Sequence, residues 1–231
     1  MTVRVLLVGY GKMGRLIERL VPEYGAEVAG VLDLDAPAAL SGPDAERWRG
    51  VDVAIDFSVP EAVVHNVPAL ARLGINTVIG TTGWQHDEAR VRAAVAEAGI
   101  GVVAAPNFST GVVLFEAVLA RASALFARQT DVGAYLHEAH HAAKKDAPSG
   151  TALMLQRAMV AGGYERPIDV SSSRAGFIPG THTIVFDGPA ESITLTHTAR
   201  DRTAFARGAI AAATWLQGRR GWFTMHDVLG L

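Results

Sequence analysis

Val3-Arg4-Val5-Leu6-Leu7-Val8 runs directly into Gly9-Tyr10-Gly11-Lys12-Met13-Gly14. The apolar Val3–Val8 stretch suits a strand buried on both faces, the form strands take inside a parallel sheet. Beyond the glycines, Met13, Leu16, Ile17, Leu20 and Val21 recur at helical spacing. A strand closing into Gly-x-Gly-x-x-Gly that opens a helix is built for a dinucleotide. The first glycine allows a tight turn, the second lets the backbone approach the pyrophosphate, and the third lets helix and strand pack closely. The helix N-terminus adds unpaired N–H groups and the positive end of its dipole. Asp33 stands nineteen residues beyond Gly14, after a second strand at Glu27–Leu32, where a carboxylate takes ribose hydroxyls. Gly9, Tyr10, Gly11, Lys12, Met13, Gly14 and Asp33 are therefore expected cofactor contacts. A carboxylate at position 33 repels a 2′-phosphate, and no arginine follows until Arg47, which favours NADH over NADPH.

The same rhythm continues outward. Val51–Phe57, Ile75–Ile79 and Ile100–Ala104 read as strands, Ala62–Leu73 and Asp87–Ala98 as helices, and Ala36–Pro43 as a loop. Strands separated by helices indicate βαβ units and a doubly wound parallel sheet. In such sheets ligands bind where the loops at strand C-termini converge. That adds Phe57 and Ser58, then Gly80, Thr81 and Thr82, then Ala105, Pro106, Asn107 and Phe108 to the expected cofactor contacts.

After Pro106 the pattern changes. Gly111–Arg128 reads as a long amphipathic helix with Val113, Phe115, Val118, Leu119, Ala122, Leu125 and Phe126 on its apolar side. Val132–Glu138 is an expected strand and Ser149–Ala161 a helix; Asp169–Ser173, Thr183–Phe186 and Ser192–His197 are further strands. In the last of these, Ile193 and Leu195 alternate with threonines, as on a sheet with one covered face. Thr203–Gln217 returns to helix, and its packing back on the first domain would make the second an insertion. The expected fold is α/β: an N-terminal doubly wound Rossmann-type parallel sheet with a second α+β domain on an open, mixed or antiparallel sheet. The expected boundaries are 1–107 with 204–231 for dinucleotide binding, and 108–203 for substrate binding and oligomerisation.

Composition excludes several classes. The 231 residues are 49% hydrophobic and carry 21 basic against 23 acidic side chains, enough to bury a core and too balanced to capture nucleic acid or an anionic membrane electrostatically. There are no cysteines, hence no disulfides, thiolate metal sites or thiol nucleophiles. No apolar run approaches the ~18 residues of a spanning helix. These features suit a soluble, cytoplasmic protein.

The densest polar chemistry is Glu138-Ala139-His140-His141-Ala142-Ala143-Lys144-Lys145-Asp146-Ala147-Pro148-Ser149-Gly150-Thr151. Paired histidines followed by lysines are costly to bury, so the segment is a solvated loop or a site. Ser149-Gly150-Thr151 opens a helix whose first N–H groups and two hydroxyls make an anion pocket. A cationic loop facing it suits a substrate with one or more carboxylates. Adjacent histidines point apart on an extended chain, so no metal site is expected. His137 and His197 read as strand residues, and no Gly-x-Ser-x-Gly pattern supports a serine hydrolase.

His140-His141-Ala142-Ala143-Lys144-Lys145-Asp146-Ala147-Pro148-Ser149-Gly150-Thr151-Ala152 resembles the H-H-x-x-K-x-D-A-P-S-G-T-A signature of the 4-hydroxy-tetrahydrodipicolinate (dihydrodipicolinate) reductase family of lysine and diaminopimelate biosynthesis. Gly80-Thr81-Thr82-Gly83, Ala105-Pro106-Asn107-Phe108-Ser109, Arg174-Ala175-Gly176, Gly180-Thr181-His182, Arg202-x-x-Phe205-x-x-Gly208-Ala209 and Trp215-Leu216 are similar to further family blocks. The resemblance implies NAD(P)H-dependent reduction of a cyclic imine dicarboxylate by a homotetramer. It implies His140 as proton donor and acceptor, Lys144 as the proton donor beside it, and His141, Ser149, Gly150 and Thr151 as substrate contacts. This chain has one residue fewer between its first two glycines than many relatives, and a short connection from the Ser149 helix to Arg174. An amino acid dehydrogenase on a similar plan, such as one for aspartate, would not require the His140–Thr151 block. A non-catalytic NAD-binding regulator would have no use for a protonatable His–Lys pair beside an anion pocket.

Overall fold

The computed structural model describes residues 2–33, 39–40 and 43–231, so most of the loop expected at Ala36–Pro43 lies outside the described residues. The chain divides into two compact units: residues up to Thr110 together with Thr203–Leu231, and Gly111–Arg202.

In the first unit, β1 (Val3–Val8), β2 (Ala26–Leu32), β3 (Val53–Asp56), β4 (Asn76–Ile79), β5 (Gly101–Ala104) and β10 (Gly221–Phe223) form one parallel sheet in the order β10-β5-β4-β3-β1-β2. Val5, Leu6, Leu7 and Val8 are all fully buried, so this strand is covered on both faces as its unbroken apolar run requires. Each such side chain contributes about 1.5–3 kcal/mol by leaving water.

Helix α1 (Lys12–Leu20) buries Gly14, Ile17 and Leu20, one stripe at three-residue spacing. Helix α2 (Pro60–Arg72) starts with proline in its first turn and turns Val63, Val67, Leu70 and Ala71 inward. Helix α3 (Glu88–Ala98) contributes Val91 and Val95 and stops at Gly99, whose φ of 66° ends the helix in the left-handed region. Helix α6 (Thr203–Trp215) packs against α1, β3 and β4, which places it in the first unit. The sequence pattern anticipates neither β10 nor the short α7 (Met225–Leu229), because three residues after Arg219-Arg220 carry no readable alternation.

The second unit is a mixed sheet in the order β7-β6-β8-β9, built from β6 (Gly133–His140), β7 (Ile168–Arg174), β8 (Thr181–Asp187) and β9 (Ser192–Thr198). Helix α5 (Gly150–Ala161) carries the chain between the parallel strands β6 and β7, while β8 and β9 run antiparallel. Leu136, Ile184 and Phe186 meet Leu119 of α4 (Thr110–Phe126) and Leu155 and Met159 of α5 in one core. Phe126 stacks on Phe186 with ring centroids 4.4 Å apart. The Arg166 guanidinium caps the end of α4, donating to the Phe126 carbonyl at 2.9 Å and the Ala127 carbonyl at 3.3 Å.

Three sequence expectations need correction. Val118 and Leu125, expected on the apolar side of α4, are 54% and 55% exposed, because the covered arc runs through Phe115, Leu119, Ala122 and Phe126. Ile193 is 47% exposed near the start of the edge strand β9, which has a neighbouring strand on one side only. Strand β6 also continues two residues past Glu138, carrying His140 into the ladder opposite Arg174 rather than into a loop.

Among the described glycines of the first unit Gly208 is the most confined: a Cβ there would fall 1.7 Å from the Phe108 carbonyl oxygen. Backbone cannot yield as a flexible side chain can. Gly208→Ala is expected to lower unfolding free energy by about 3 kcal/mol, read as a lower urea midpoint at unchanged slope. Gly11→Ala, with open space around the added carbon, should leave the midpoint nearly in place.

Candidate active site

Because the first sheet is parallel, its strand C-termini share one edge. The order β5-β4-β3-β1-β2 sets the loops bearing Ala105–Phe108, Gly80–Thr82, Phe57–Ser58, Gly9–Gly14 and Asp33 side by side along it. Gly9 has φ +87°, and a Cβ there would lie 2.5 Å from the Phe57 carbonyl. A Cβ at Gly14 would lie 2.3 Å from the Gly9 carbonyl, so α1 is held tightly against the turn. Gly11, at the helix N-cap, would meet nothing within 4 Å, leaving its outer side open to a ligand. These three environments fit a pyrophosphate cradle. The Tyr10 amide donates to Asp33 Oδ1 at 3.4 Å, tying the acid to the same turn, and exposed Lys12 and half-buried Met13 begin the helix.

One buried acid braces this edge. Asp56 Oδ1 accepts from the Ser58 amide at 2.9 Å, Ser58 Oγ at 2.6 Å and Thr81 Oγ1 at 3.0 Å, while Asn66 of α2 reaches Oδ2 at 3.4 Å. Burial raises its pKa, and these neutral donors offset that only in part. A Cβ at Gly80 would lie 2.2 Å from the Phe57 ring, which meets Phe108 edge-on at 6.1 Å. Phe108 is buried, Thr82 and Pro106 are exposed, and Ala105 and Asn107 are half-buried, with Asn107 Oδ1 accepting from the Ser109 amide.

In the second unit, sheet register sets the chemistry. Glu138 is opposite Ser172 on β7 and His182 on β8, His182 is opposite His197 on β9, and His140 is opposite Arg174. The Glu138 carboxylate is fully buried. Its Oε1 accepts from the Ser149 amide at 2.9 Å, Ser172 Oγ at 2.7 Å and Arg174 Nη2 at 2.7 Å. Its Oε2 lies 3.2 Å from His140 Nδ1 and 3.7 Å from His182 Nε2. Burial works to raise the Glu138 pKa, but the Ser149, Arg174 and Ser172 hydrogen bonds outweigh it and bring it to about 2.

Burial lowers the pKa of His140; the Glu138 charge acts against that, and Lys144 and Arg174 reinforce it. Burial, together with His140, brings His182 down to about 4, so it stays a neutral imidazole. The two rings meet edge-to-face at 5.2 Å.

Ser149 opens α5. It is buried, its Oγ accepts from the Ala152 amide at 3.1 Å, and the same oxygen shares a hydrogen bond with His182 Nε2 at 3.3 Å. The first two helical residues, Gly150 and Thr151, have N–H groups beyond the reach of any intrahelical acceptor. Lys144 Nζ is held by both Asp146 oxygens, at 2.8 and 2.9 Å, and His141 is half-buried in the turn closed by the Lys144 amide. Structure thus joins His140, Ser149 and the start of α5 through a single carboxylate, with Lys144 linked to them through Asp146, whose carbonyl accepts from Arg174 at 2.5 Å.

Glu138, His140 and His182 bring potential metal-ligand atoms within 4.8 Å of one another. The Arg174 guanidinium on the same carboxylate opposes a further cation there. Sequence reasoning gave no role to Glu138, His182 or Ser172. Their signal lay in period-two spacing from His140 and in cross-strand register, the second of which emerges only once strands are paired. Among the described residues no helix is long and apolar enough to cross a membrane.

The pattern described as "Dihydrodipicolinate reductase, N-terminus" matches residues 3–108, and "Dihydrodipicolinate reductase, C-terminus" matches 111–229. The chain is 34% identical to a 4-hydroxy-tetrahydrodipicolinate reductase of Christiangramia forsetii, over 98% of each chain. It is 38% identical to one of Thiobacillus denitrificans over the full length of both. Among solved structures, a dipicolinate-bound dihydrodipicolinate reductase from Paenisporosarcina superposes with a TM-score of 0.77 at 22% identity, covering 98% of this chain and 99% of that one.

The buried charges make stability depend on pH. His182 in the folded chain stays neutral down to about 4, against 6.5 for an exposed imidazole, so the unfolded chain takes up a proton first. Stability therefore falls as pH drops from 6.5 toward 4. Glu138 contributes fully above 4.5, and its contribution is lost as pH falls toward 2. Urea unfolding across this range should show both losses. Glu138→Gln should lessen the lower one, and His182→Gln should lessen the upper one, which His140 and His197 share. A flat profile between 6.5 and 4 would contradict the burial of neutral imidazoles.

Proposed function

This chain belongs to the dihydrodipicolinate reductase family, and from that premise we propose which residues carry its reaction. It is an NAD(P)H-dependent oxidoreductase that reduces 4-hydroxy-tetrahydrodipicolinate to tetrahydrodipicolinate in lysine biosynthesis. Water leaves as the substrate hydroxyl with a hydrogen from the neighbouring ring carbon, and the ring double bond so formed gains one hydride and one proton. When bound, the reduced nicotinamide supplies the hydride.

The chain's own residues do the rest. His140 delivers the proton to the ring carbon that becomes electron-rich, with Lys144 as the second donor beside it. A buried imidazole suits general acid–base work near neutral pH. The α5 N-terminus receives a substrate carboxylate on the Gly150 and Thr151 amides, and His141 adds a further contact. The Ser149 hydroxyl is engaged with Ala152 and His182, so its part is to set the start of that helix. The observation that carries this reading is that one carboxylate, Glu138, touches both the His140 ring and the first residue of the anion-binding helix end.

Residues 1–107 and 204–231 are assigned to dinucleotide binding: the Gly9–Gly14 turn cradles the pyrophosphate and Asp33 takes the ribose. Phe57, Ser58, Gly80, Thr81, Thr82, Ala105, Pro106, Asn107 and Phe108 shape the rest of that edge. Asp33 favours NADH over NADPH. Residues 108–203 bind substrate and assemble the homotetramer, for which the exposed Tyr135, Phe177 and Ile193 supply apolar surface. The composition suits a cytoplasmic setting.

With freshly generated substrate, folded protein should oxidise reduced nucleotide, followed by absorbance; no substrate-dependent oxidation defeats the assignment. His140→Gln should lower kcat by about two to four orders of magnitude with nucleotide affinity kept, and a loss confined to nucleotide affinity would reassign His140. Asp33→Ala should raise the NADPH/NADH ratio of kcat/KM, and an unchanged ratio would remove Asp33 from cofactor choice.

A further inference from the structure

We propose that Glu138 is a positioning residue of the reduction, holding the Nδ1 edge of the His140 ring so that Nε2 is the edge offered to substrate. The inference rests on His140 being the proton donor, and goes beyond it by naming what orients and tunes that donor.

The geometry is specific. His140 Nδ1 and Glu138 Oε2 are both fully buried and lie 3.2 Å apart, within ion-pair distance, and neither makes a hydrogen bond among the described residues, so each is the nearest polar group the other can use. The other carboxylate oxygen is fully used, by the Ser149 amide, Ser172 Oγ and Arg174 Nη2. Three anchors, two on β7 and one at the start of α5, therefore fix the carboxylate, and its remaining oxygen has the imidazole to face. At the opposite edge of the ring, a Cβ on residue 180 would sit 3.1 Å from Nε2, and Gly180 supplies none. One edge faces a fixed carboxylate, and the other has no side chain of residue 180 against it.

Electrostatics point the same way. The charged and titratable groups acting on His140 are Glu138 on its own strand, Lys144 and Asp146 on the following loop, Arg174 on β7 and His182 on β8, the last backed by His197 on β9. Burial and the two cations disfavour the imidazolium; Glu138 is the larger of the two acidic contributions that favour it, ahead of Asp146. His182 remains neutral, so it adds a ring and no charge at neutral pH. Without Glu138 the proton donor would carry its proton only at lower pH.

The test is the pH dependence of kcat and kcat/KM in Glu138→Gln beside the unaltered chain. A donor must hold its proton, so activity falls as pH rises through the His140 pKa. Glu138→Gln should move that basic limb downward by about one pH unit, and above the limb kcat should fall about tenfold, with KM for the nucleotide unchanged. Imidazole NMR of the full-length chain, with the His140 signal assigned by its absence in His140→Gln, should show the same downward shift and a change in the neutral tautomer. If Glu138→Gln does not fold, Glu138→Asp keeps the charge but withdraws it by one methylene, and should shift the titration in the same direction by less. An unmoved limb, or an unmoved His140 titration and tautomer in whichever variant folds, overturns the proposal and leaves Glu138 a structural brace. His140→Gln with undiminished kcat would instead overturn the assignment of the donor itself.

Discussion

A fully buried carboxylate with a pKa near 2 is a charge kept in a place that disfavours charge, and the second unit is organised around that fact. Removing an ion from water costs several kcal/mol, and the cost is offset only when nearly every lone pair has a donor. Glu138 draws its donors from three places in the chain: the backbone where α5 begins, a hydroxyl on β7 and a guanidinium on β7. Each donor is thereby fixed as well. The start of α5 and two side chains of β7 are thus tied to one solvation requirement.

The first unit offers a natural comparison. Asp56 is equally buried and also accepts several hydrogen bonds, yet its pKa is raised, whereas that of Glu138 is lowered. Desolvation weighs more heavily on Asp56, and the donors differ as well. Ser58, Thr81 and Asn66 are neutral, and the hydrogen bonds they give do not replace lost hydration. Arg174 brings a full positive charge to 2.7 Å. Asp56 therefore serves as a hydrogen-bonded brace between two loops and a helix, while Glu138 supplies a negative charge that neighbouring imidazoles can feel. The two acids have different electrical roles because desolvation prevails at Asp56, whereas at Glu138 the Ser149 and Ser172 hydrogen bonds and the Arg174 cation together outweigh it.

Much of this architecture was legible in the sequence. Val3–Val8 and the glycines that follow specify a buried parallel strand and a tight turn by chemistry local to a dozen residues, and the parallel sheet stands as read. The His140–Thr151 block was legible as a concentration of polar groups before a capped helix. Its internal wiring was not, because hydrogen bonds to Glu138 span 11 to 36 residues and depend on which strands become neighbours. His182 shows the same limit: in the sequence it is one histidine among alternating threonines, and only the β6–β8 register sets it opposite Glu138. The end of β6 was misplaced because polar, titratable residues normally terminate strands, whereas here a buried partner makes them part of one.

The charges already paired in the second unit bear on when His140 can act. Glu138 is matched by Arg174 and Asp146 by Lys144, so these four groups sum to zero before any ligand is present. Burial lowers the basicity of His140. A dicarboxylate held at the start of α5 adds two negative charges that none of these pairs has neutralised. Negative charge entering a poorly solvated site favours the imidazolium over the imidazole. On the proposed reading the substrate thus raises the proton affinity of the group that must protonate it, and the proton is carried chiefly when there is a ring to receive it. A site built with surplus positive charge would bind the dianion more tightly but would suppress the imidazolium before binding. A balanced cluster keeps the acid responsive to its substrate.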